Sequence, residues 1–400
     1  MKAPLTILTL TLGVLAMTSP AHAQGHFVQD RFVISFWVDP PVDDARYAEI
    51  ADANFTVVLG ANASANPETT KKAMDLCDKY GLKLIVWRGA TPADQLAEGP
   101  TLWGYALRDE PTANDFADLR KQVDEIRVAR PGKLAYINLF PNYANEQQMG
   151  TKTYDEHVKR FVDEVGVDVL SMDHYPVMHP GENSCQSYCD NLEVMRHYSL
   201  EKGIPFWNYF NTMPFGPHFD PTEHALRWQI MTSLAYGAKG VMYFCYWTPQ
   251  GAEFPKGGAI ITAEGRKTRH YDQAKRLNAA VKAMGPTLMK LTSQGVVHLA
   301  PGADAALLAT TPLKSLAPSP KGDYLIGTFK HADGRRAVLL NNYDYCFTSW
   351  PTVEFGADLA QVREVDQATG QEVPVVDDSP DMPGLQLSLD AGGGRLFLLP

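Results

Sequence analysis

Eight short apolar runs, each followed by a polar or amphipathic stretch, most constrain what this chain can fold into. They fall at residues 32–38, 55–59, 82–87, 102–107, 134–140, 167–172, 205–210 and 240–247. Such runs read as strands buried on both faces, the mark of a parallel sheet. Several of the stretches between them, 43–54, 67–80, 113–130 and 153–165, have helical periodicity and the length of a crossover. Eight such repeats before about residue 285 predict a (β/α)8 TIM barrel rather than an open doubly wound sheet. After a helix predicted over 271–284 the texture changes: β-type runs at 324–329, 336–341 and 394–399 are separated by Gly, Asp and Pro turns. A smaller C-terminal antiparallel β-sandwich is expected there, with 303–322 as a long irregular connection or an exposed hairpin.

The first residues have a different logic. Lys2, an apolar stretch over 5–17, Pro20 and then Ala21-His22-Ala23 have the layout of a secretory leader cut after Ala23. Its apolar core is shorter than the roughly 20 residues a membrane anchor needs, and no later segment is long and apolar enough. The expected division is therefore 1–23 signal peptide, 24–290 barrel and 291–400 all-β domain, with a secreted or periplasmic location. Losing the leader removes one lysine and no carboxylate, leaving 35 Lys and Arg against 46 Asp and Glu, a net charge of −11. That balance argues against nucleic acid and anionic membrane surfaces as partners and suits neutral sugars. It is silent on oligomeric state.

Five cysteines are too few for a disulfide scaffold. Cys185 and Cys189 stand close together in what reads as a polar loop, where an oxidising compartment would allow a local disulfide. Cys77, Cys245 and Cys346 read as isolated, buried thiols. His174, His179 and the two loop cysteines form the single cluster with any metal-ligand character, and an exported C-x3-C pair is more simply a disulfide, so no metal and no cofactor are expected.

Barrel chemistry sits where strands end, which singles out the residues on and just after each run. These are Trp37 and Asp39, Trp87, Asp109 and Glu110, Asn138, Asp173 with His174 and Tyr175, Asn208 and Asn211, and Tyr246 with Trp247. Carboxylates and amides hydrogen-bond sugar hydroxyls, and flat rings cover the C–H faces of a pyranose, so this mixture points to an oligo- or polysaccharide substrate. Glu110 is the candidate general acid: aromatic walls and the neighbouring Asp109 would raise its pKa. The competing reading is that Asp109 and Glu110 merely cap the helix beginning near Pro111. Asp173 is a second candidate acid, against a purely structural hydrogen bond; His174 reads more readily as packing, and each tryptophan as core. Of the three, Trp247 is favoured as a platform because Thr248-Pro249 would fix its ring across the barrel mouth, and the loop 250–260 is a candidate lid.

The segments Trp103-Gly104-Tyr105-Ala106-Leu107-Arg108-Asp109-Glu110-Pro111, Asp168-Val169-Leu170-Ser171-Met172-Asp173-His174-Tyr175-Pro176, Pro205-Phe206-Trp207 and Gly237-Ala238-Lys239-Gly240-Val241-Met242-Tyr243-Phe244 resemble strands four, six, seven and eight of clan A glycoside hydrolases. The resemblance is greatest to the β-galactosidases of family forty-two and covers residues from about Phe32 to Met284. It implies that Glu110 is the acid/base, that Asp173 and Tyr175 line the site, and that Trp247 is the strand-eight platform. One departure matters. Retaining enzymes of that clan place a nucleophilic Glu at the end of strand seven, and residues 205–211 contain no acid.

Three repairs remain open. Asp109-Glu110 is similar to the pair of β-N-acetylhexosaminidases, whose Asp orients a 2-acetamido group that attacks the anomeric carbon. Asp173 would serve as nucleophile or base, similar to α-galactosidase-like barrels that draw their acids from strands four and six. Glu253 or Asp39 would come in from a neighbouring loop. Carboxyl groups about 5 Å apart favour retention and roughly 6.5–9.5 Å favours inversion. The expected function is an exported glycoside hydrolase; the rival from another class is a catalytically inactive barrel that binds carbohydrate, and a lyase or transferase is weaker still.

Overall fold

The computed structural model describes residues 25–179, 181–254, 258–317 and 322–400; the leader expected over 1–23 lies outside them. In chain order the first half holds β1 (Val33–Phe36), α1 (Asp44–Asp52), β2 (Val57–Gly60), α2 (Pro67–Tyr80), β3 (Lys83–Trp87), β4 (Leu102–Asp109), α3 (Phe116–Ala129), β5 (Leu134–Asn138), α4 (Glu146–Met149) and α5 (Tyr154–Glu164). It continues with β6 (Leu170–Asp173), α6 (Cys185–Lys202), β7 (Phe206–Asn211), α7 (Glu223–Ala235), β8 (Gly240–Phe244) and α8 (Arg269–Leu288). Local chemistry sets many of these bounds. Asn66 accepts from the Thr69 N–H at the start of α2, Pro67 fills its first turn, and Gly81 ends it in the left-handed region at φ +69°. One crossover departs from the expected strand–helix repeat: between β3 and β4 the chain makes a single 3-10 turn, Ala93–Gln95. Gly89, Pro92, Gly99 and Pro100 break that stretch too often for a helix.

All eight strands run parallel, in two four-stranded arcs ordered β1-β8-β7-β6 and β2-β3-β4-β5. The Thr56 N–H donates to the Ile34 carbonyl at 2.9 Å across one seam, and the Leu139 N–H to the Ser171 carbonyl at 2.9 Å across the other, closing a TIM barrel. Large rings fill its lumen: Tyr136, Trp207, Tyr209 and Trp103 are buried together, with Tyr136 stacked on Trp207 at 5.7 Å. Space for Trp207 comes from β8, where a Cβ on Gly240 would stand 2.6 Å from the indole.

Beyond α8 come β9 (Leu291–Leu299), β10 (Leu313–Ala317), β11 (Tyr324–His331), β12 (Arg336–Asn342), β13 (Thr352–Phe355), β14 (Arg363–Val365), β15 (Glu372–Pro374), β16 (Leu385–Gln386) and β17 (Gly394–Leu399). They form a six-stranded sheet, β15-β14-β17-β12-β11-β9, and a three-stranded sheet, β10-β13-β16. The larger sheet is apolar on both faces. Leu325, Phe329, Leu339, Leu396 and Leu398 join the barrel's core, while Tyr324, Ile326, Val338, Leu340 and Phe397 point into a second core against the smaller sheet. Helix α7 lies between β7 and this sheet, so nearly every residue from Ala225 to Ala235 is buried and the helix has no polar face. The segment 303–322, expected as an irregular connection or an exposed hairpin, contains a 3-10 helix, Ala305–Thr310, and the strand β10, which pairs with β13.

Three expectations about the cysteines change, one of them because Cys346 is exposed where a buried thiol is expected. Cys185 opens α6 rather than lying in a loop, so Cys185 and Cys189 stand one helical turn apart and all five thiols are free. Cβ atoms four residues apart on a helix are about 5–6 Å from each other, beyond the roughly 3.5–4.5 Å of a disulfide. The Cys189 thiol instead lies 3.1 Å from the Tyr343 hydroxyl. Among the described residues no helix is long and apolar enough to cross a membrane, and no group of His, Cys, Asp or Glu has the arrangement of a metal site.

Candidate active site

At the C-terminal ends of the strands a cavity of about 260 Å³ is lined by Asp109, Glu110, Asn138, Asp173, Glu253 and the rings of Trp37, Tyr175, Tyr209, Phe215, Phe244 and Phe254. Its acids come from different strands. Asp109 ends β4, with Asn138 of β5 as its register partner. Asp173 ends β6, opposite Tyr209 of β7. Glu110 follows β4 with its N–H donated to the Asn138 carbonyl at 2.9 Å and with φ +46°, a left-handed conformation that costs a non-glycine residue about 1–3 kcal/mol. The helical-cap reading of this pair does not survive: Thr112 caps the next turn, and its N–H donates to Asp115 at 3.1 Å.

Asn138 joins the acids. Its Nδ2 donates to Asp173 at 2.9 Å and to Asp109 at 3.2 Å, while its Oδ1 accepts from Ser171 at 2.9 Å. Since one nitrogen touches both carboxylates, the contacted oxygens lie within about 6 Å of each other, the limit set by those two distances. Burial raises the Asp109 carboxyl above its ordinary range, against the Asn138 bond. Burial, with the Asp109 charge alongside, pushes Glu110 up to about 7. Asp173 is raised well above its ordinary range by burial and by the Glu110 and Asp109 charges, and donors from Asn138 and the Tyr175 hydroxyl oppose that rise. Near neutral pH such a cluster holds a proton that is available for transfer. Trp37 is clamped edge to face between Trp87 and Tyr209, each at 5.7 Å, which fixes one wall.

Several sequence-predicted residues lie elsewhere. Asp39 is buried, its two oxygens accepting the Asn62 and Ala63 N–H groups at 2.9 Å each, and burial pushes it up to about 6. It anchors a turn and does not reach the cavity. Asn208 points outward from β7 and donates to Tyr188 at 2.7 Å and Ser233 at 3.0 Å. The Asn211 side chain brackets the Val177 backbone. His174 is buried, held by Asn191 at 3.0 Å and kept neutral by burial, with its pKa lowered to about 4. Tyr246 packs between Phe36 and Phe55 in the helix-side core, at 4.6 and 5.6 Å. The Arg46 guanidinium covers one face of Trp247 at 5.1 Å, and that ring does not line the cavity. Trp87 supports Trp37 without lining the cavity. Sequence reasoning missed Tyr209, Phe215, Phe244 and Phe254. Tyr209 was findable, being two residues beyond lumen-facing Trp207 on an alternating strand; Phe254 falls in the loop 250–260 singled out as a candidate lid, and Phe215 lies in a loop with no pattern to mark it.

Comparison with known proteins places this geometry. The model of glycoside hydrolase family 42, described as Beta-galactosidase, matches residues 114–284, from just beyond Glu110 through Asp173 to α8. The β-galactosidase of Bacillus circulans sp. alkalophilus is similar in structure, with TM-score 0.56 at 10% identity, over 92% of this chain and 99% of that one. A GH42 β-galactosidase from G. stearothermophilus gives TM-score 0.54 at 9% identity, over 93% and 98%. The β-galactosidase of the haloarchaeon Halorubrum lacusprofundi gives TM-score 0.46 at 14% identity; 70% of this chain is covered, and the chain spans 62% of that protein's length. No curated protein matches the sequence. The family match extends over residues 114–284, part of the barrel, and the structural matches share the TIM-barrel fold.

Proposed function

We propose that this chain is an exported hydrolase of glycosidic bonds in glycans outside the cytoplasm, with Glu110 as general acid and Asp173 as second acid. The observation that carries the reading is the shared cavity of Glu110 and Asp173, aromatic-walled, with both carboxyls raised. A protonated Glu110 delivers its proton to the leaving glycosidic oxygen as the C–O bond breaks. The Glu110 charge helps raise Asp173, so the two acids share one proton, and the donors of Asn138 and the Tyr175 hydroxyl to Asp173 favour the form that carries it on Glu110. Attack of Asp173 on the anomeric carbon would retain configuration; removal of a proton from water by Asp173 would invert it. The names of the similar proteins make β-galactosides the first substrates to try. Export is supported by the leader-like residues 1–23.

The test is turnover of a panel of chromogenic glycosides, N-acetylated ones included, with NMR of the first-formed anomer. Glu110→Gln is expected to lower kcat by about 10²–10⁴-fold and leave sugar affinity in place. Loss of turnover in Asp109→Asn but not in Asp173→Asn, with a preference for acetamido sugars, would move the second role to Asp109. A second reading, a barrel that binds glycans without cleaving them, draws on the acid-free strand β7. Sugar binding by the wild type with no turnover anywhere in the panel would select it.

A further inference from the structure

The site as described accounts for one side of the scissile bond. A cavity of about 260 Å³ is below the roughly 300–1,000 Å³ that encloses drug-sized ligands, so it holds about one sugar ring. With Glu110 on its wall, whatever leaves must lie on the rim beside that carboxyl.

Tyr143 stands there, in the loop after β5, and is 53% exposed. Its ring packs edge to face on His174 at 5.1 Å, and its hydroxyl lies against the Tyr175 backbone, close enough to feel the Asp173 and Glu110 charges. The loop that carries it is locked onto α6. Asn191 accepts both the Asn142 N–H at 2.9 Å and His174 Nδ1 at 3.0 Å, so His174 Nδ1 carries the proton. The Asn142 side chain donates to the Ser187 carbonyl at 2.9 Å and accepts from the Ser187 hydroxyl at 3.0 Å. An exposed aromatic held this firmly loses little conformational entropy when a ligand covers it. The same network gives buried His174 a purpose, since it ties the Tyr143 ring to the strand end that carries Asp173.

We propose that Tyr143 is the platform of a second sugar subsite, on the leaving-group side of Glu110. This rests on the hydrolase reading. A saccharide ring stacked on Tyr143 places the bond it shares with the enclosed ring within reach of the Glu110 proton, so the preferred substrates are those whose leaving group is itself a sugar.

The test is calorimetric binding to the Glu110→Gln protein, using galactobiose, chitobiose, cellobiose, mannobiose and xylobiose together with their monosaccharides. Adding Tyr143→Ala is expected to weaken the disaccharide that binds by about tenfold and to leave its monosaccharide unchanged. Tyr143→Phe keeps the ring and is expected to weaken it less than about threefold, which also guards against a misfolded Ala variant. Equal weakening of disaccharide and monosaccharide, or none, overturns the subsite alone. Binding of no sugar in the panel removes the glycan reading and the subsite with it.

Discussion

Replacing Asn138 with alanine tests the electrostatic arrangement most directly. Asn138 is 3% exposed, and its amide is the shared donor to Asp173 at 2.9 Å and Asp109 at 3.2 Å. A hydrogen bond to a charged group contributes about 1.5–3 kcal/mol, and one pKa unit corresponds to about 1.4 kcal/mol. Losing the bond to Asp173 therefore raises that carboxyl by about 1–2 units beyond the rise that burial already imposes. The Glu110 charge that helps raise Asp173 is absent while Glu110 is protonated, so the productive form carries one proton on the pair, on Glu110, and activity should be bell-shaped: loss of that proton sets the alkaline limb and uptake of a second, on Asp173, sets the acid limb. In Asn138→Ala the acid limb moves up by about 1–2 pH units and the bell narrows from the acid side, with kcat on that limb falling about tenfold per unit. The assay is kcat and kcat/KM from pH 3 to 9 for wild type and variant, with thermal unfolding as a control for folding. An acid limb that stays in place while kcat drops equally at every pH would refute the reasoning, because it would make Asn138 a support for shape and not for charge.

Other consequences are sharper for stability. Asp39→Asn leaves one acceptor oxygen where two backbone N–H groups now find partners, so at neutral pH it should lose about 1–3 kcal/mol in urea unfolding while KM stays within about twofold. A large change in KM would restore Asp39 to the substrate. His157 is buried with Nδ1 3.0 Å from the Met149 carbonyl, and burial lowers it to about 4. The unfolded chain takes up that proton first, so the stability His157 contributes is present above about pH 6.5 and is lost as pH falls toward 4, by about 3 kcal/mol for 2.5 units. His157→Gln should flatten the fall in unfolding free energy over that window by the same amount; an unchanged slope between pH 6.5 and 4 would show that other groups carry it.

How much of this was legible in the sequence depended on what each residue answers to. Strands β1 to β8 were readable because burial on both faces makes each one a continuous apolar run. The crossover after β3 was not, since Gly89, Pro92, Gly99 and Pro100 replace a helix with a 3-10 turn that leaves no periodicity. Parallel topology gathers strand ends at one mouth, which is why Asp109, Glu110, Asn138, Asp173, Tyr175 and Trp37 meet in a single cavity. Which side of a strand a residue takes is a finer matter: Asn208 sits next to lumen-facing Trp207 and Tyr209 and so points outward to α6 and α7. Trp247 was opaque for another reason. The cation that covers it, Arg46, comes from α1, about two hundred residues earlier in the chain, and no local pattern announces such a partner.

The seventh strand completes the picture of the acids. Trp207 and Tyr209 of β7 face the lumen, and no carboxylate follows them. Tyr209 is the register partner of Asp173, and its hydroxyl lies 3.4 Å from that of Tyr136. From Tyr136 the contacts run to Ser171 at 2.8 Å, from Ser171 to Asn138 at 2.9 Å, and from Asn138 to Asp173 at 2.9 Å. Inside a closed barrel every one of these groups would be costly unpaired, so the chain fixes the orientation of the Asn138 amide, with Oδ1 toward Ser171 and Nδ2 toward the acids. In this protein the seventh strand contributes no acid of its own; through Tyr209 and Tyr136 it holds the donor that steadies the carboxylate of the sixth.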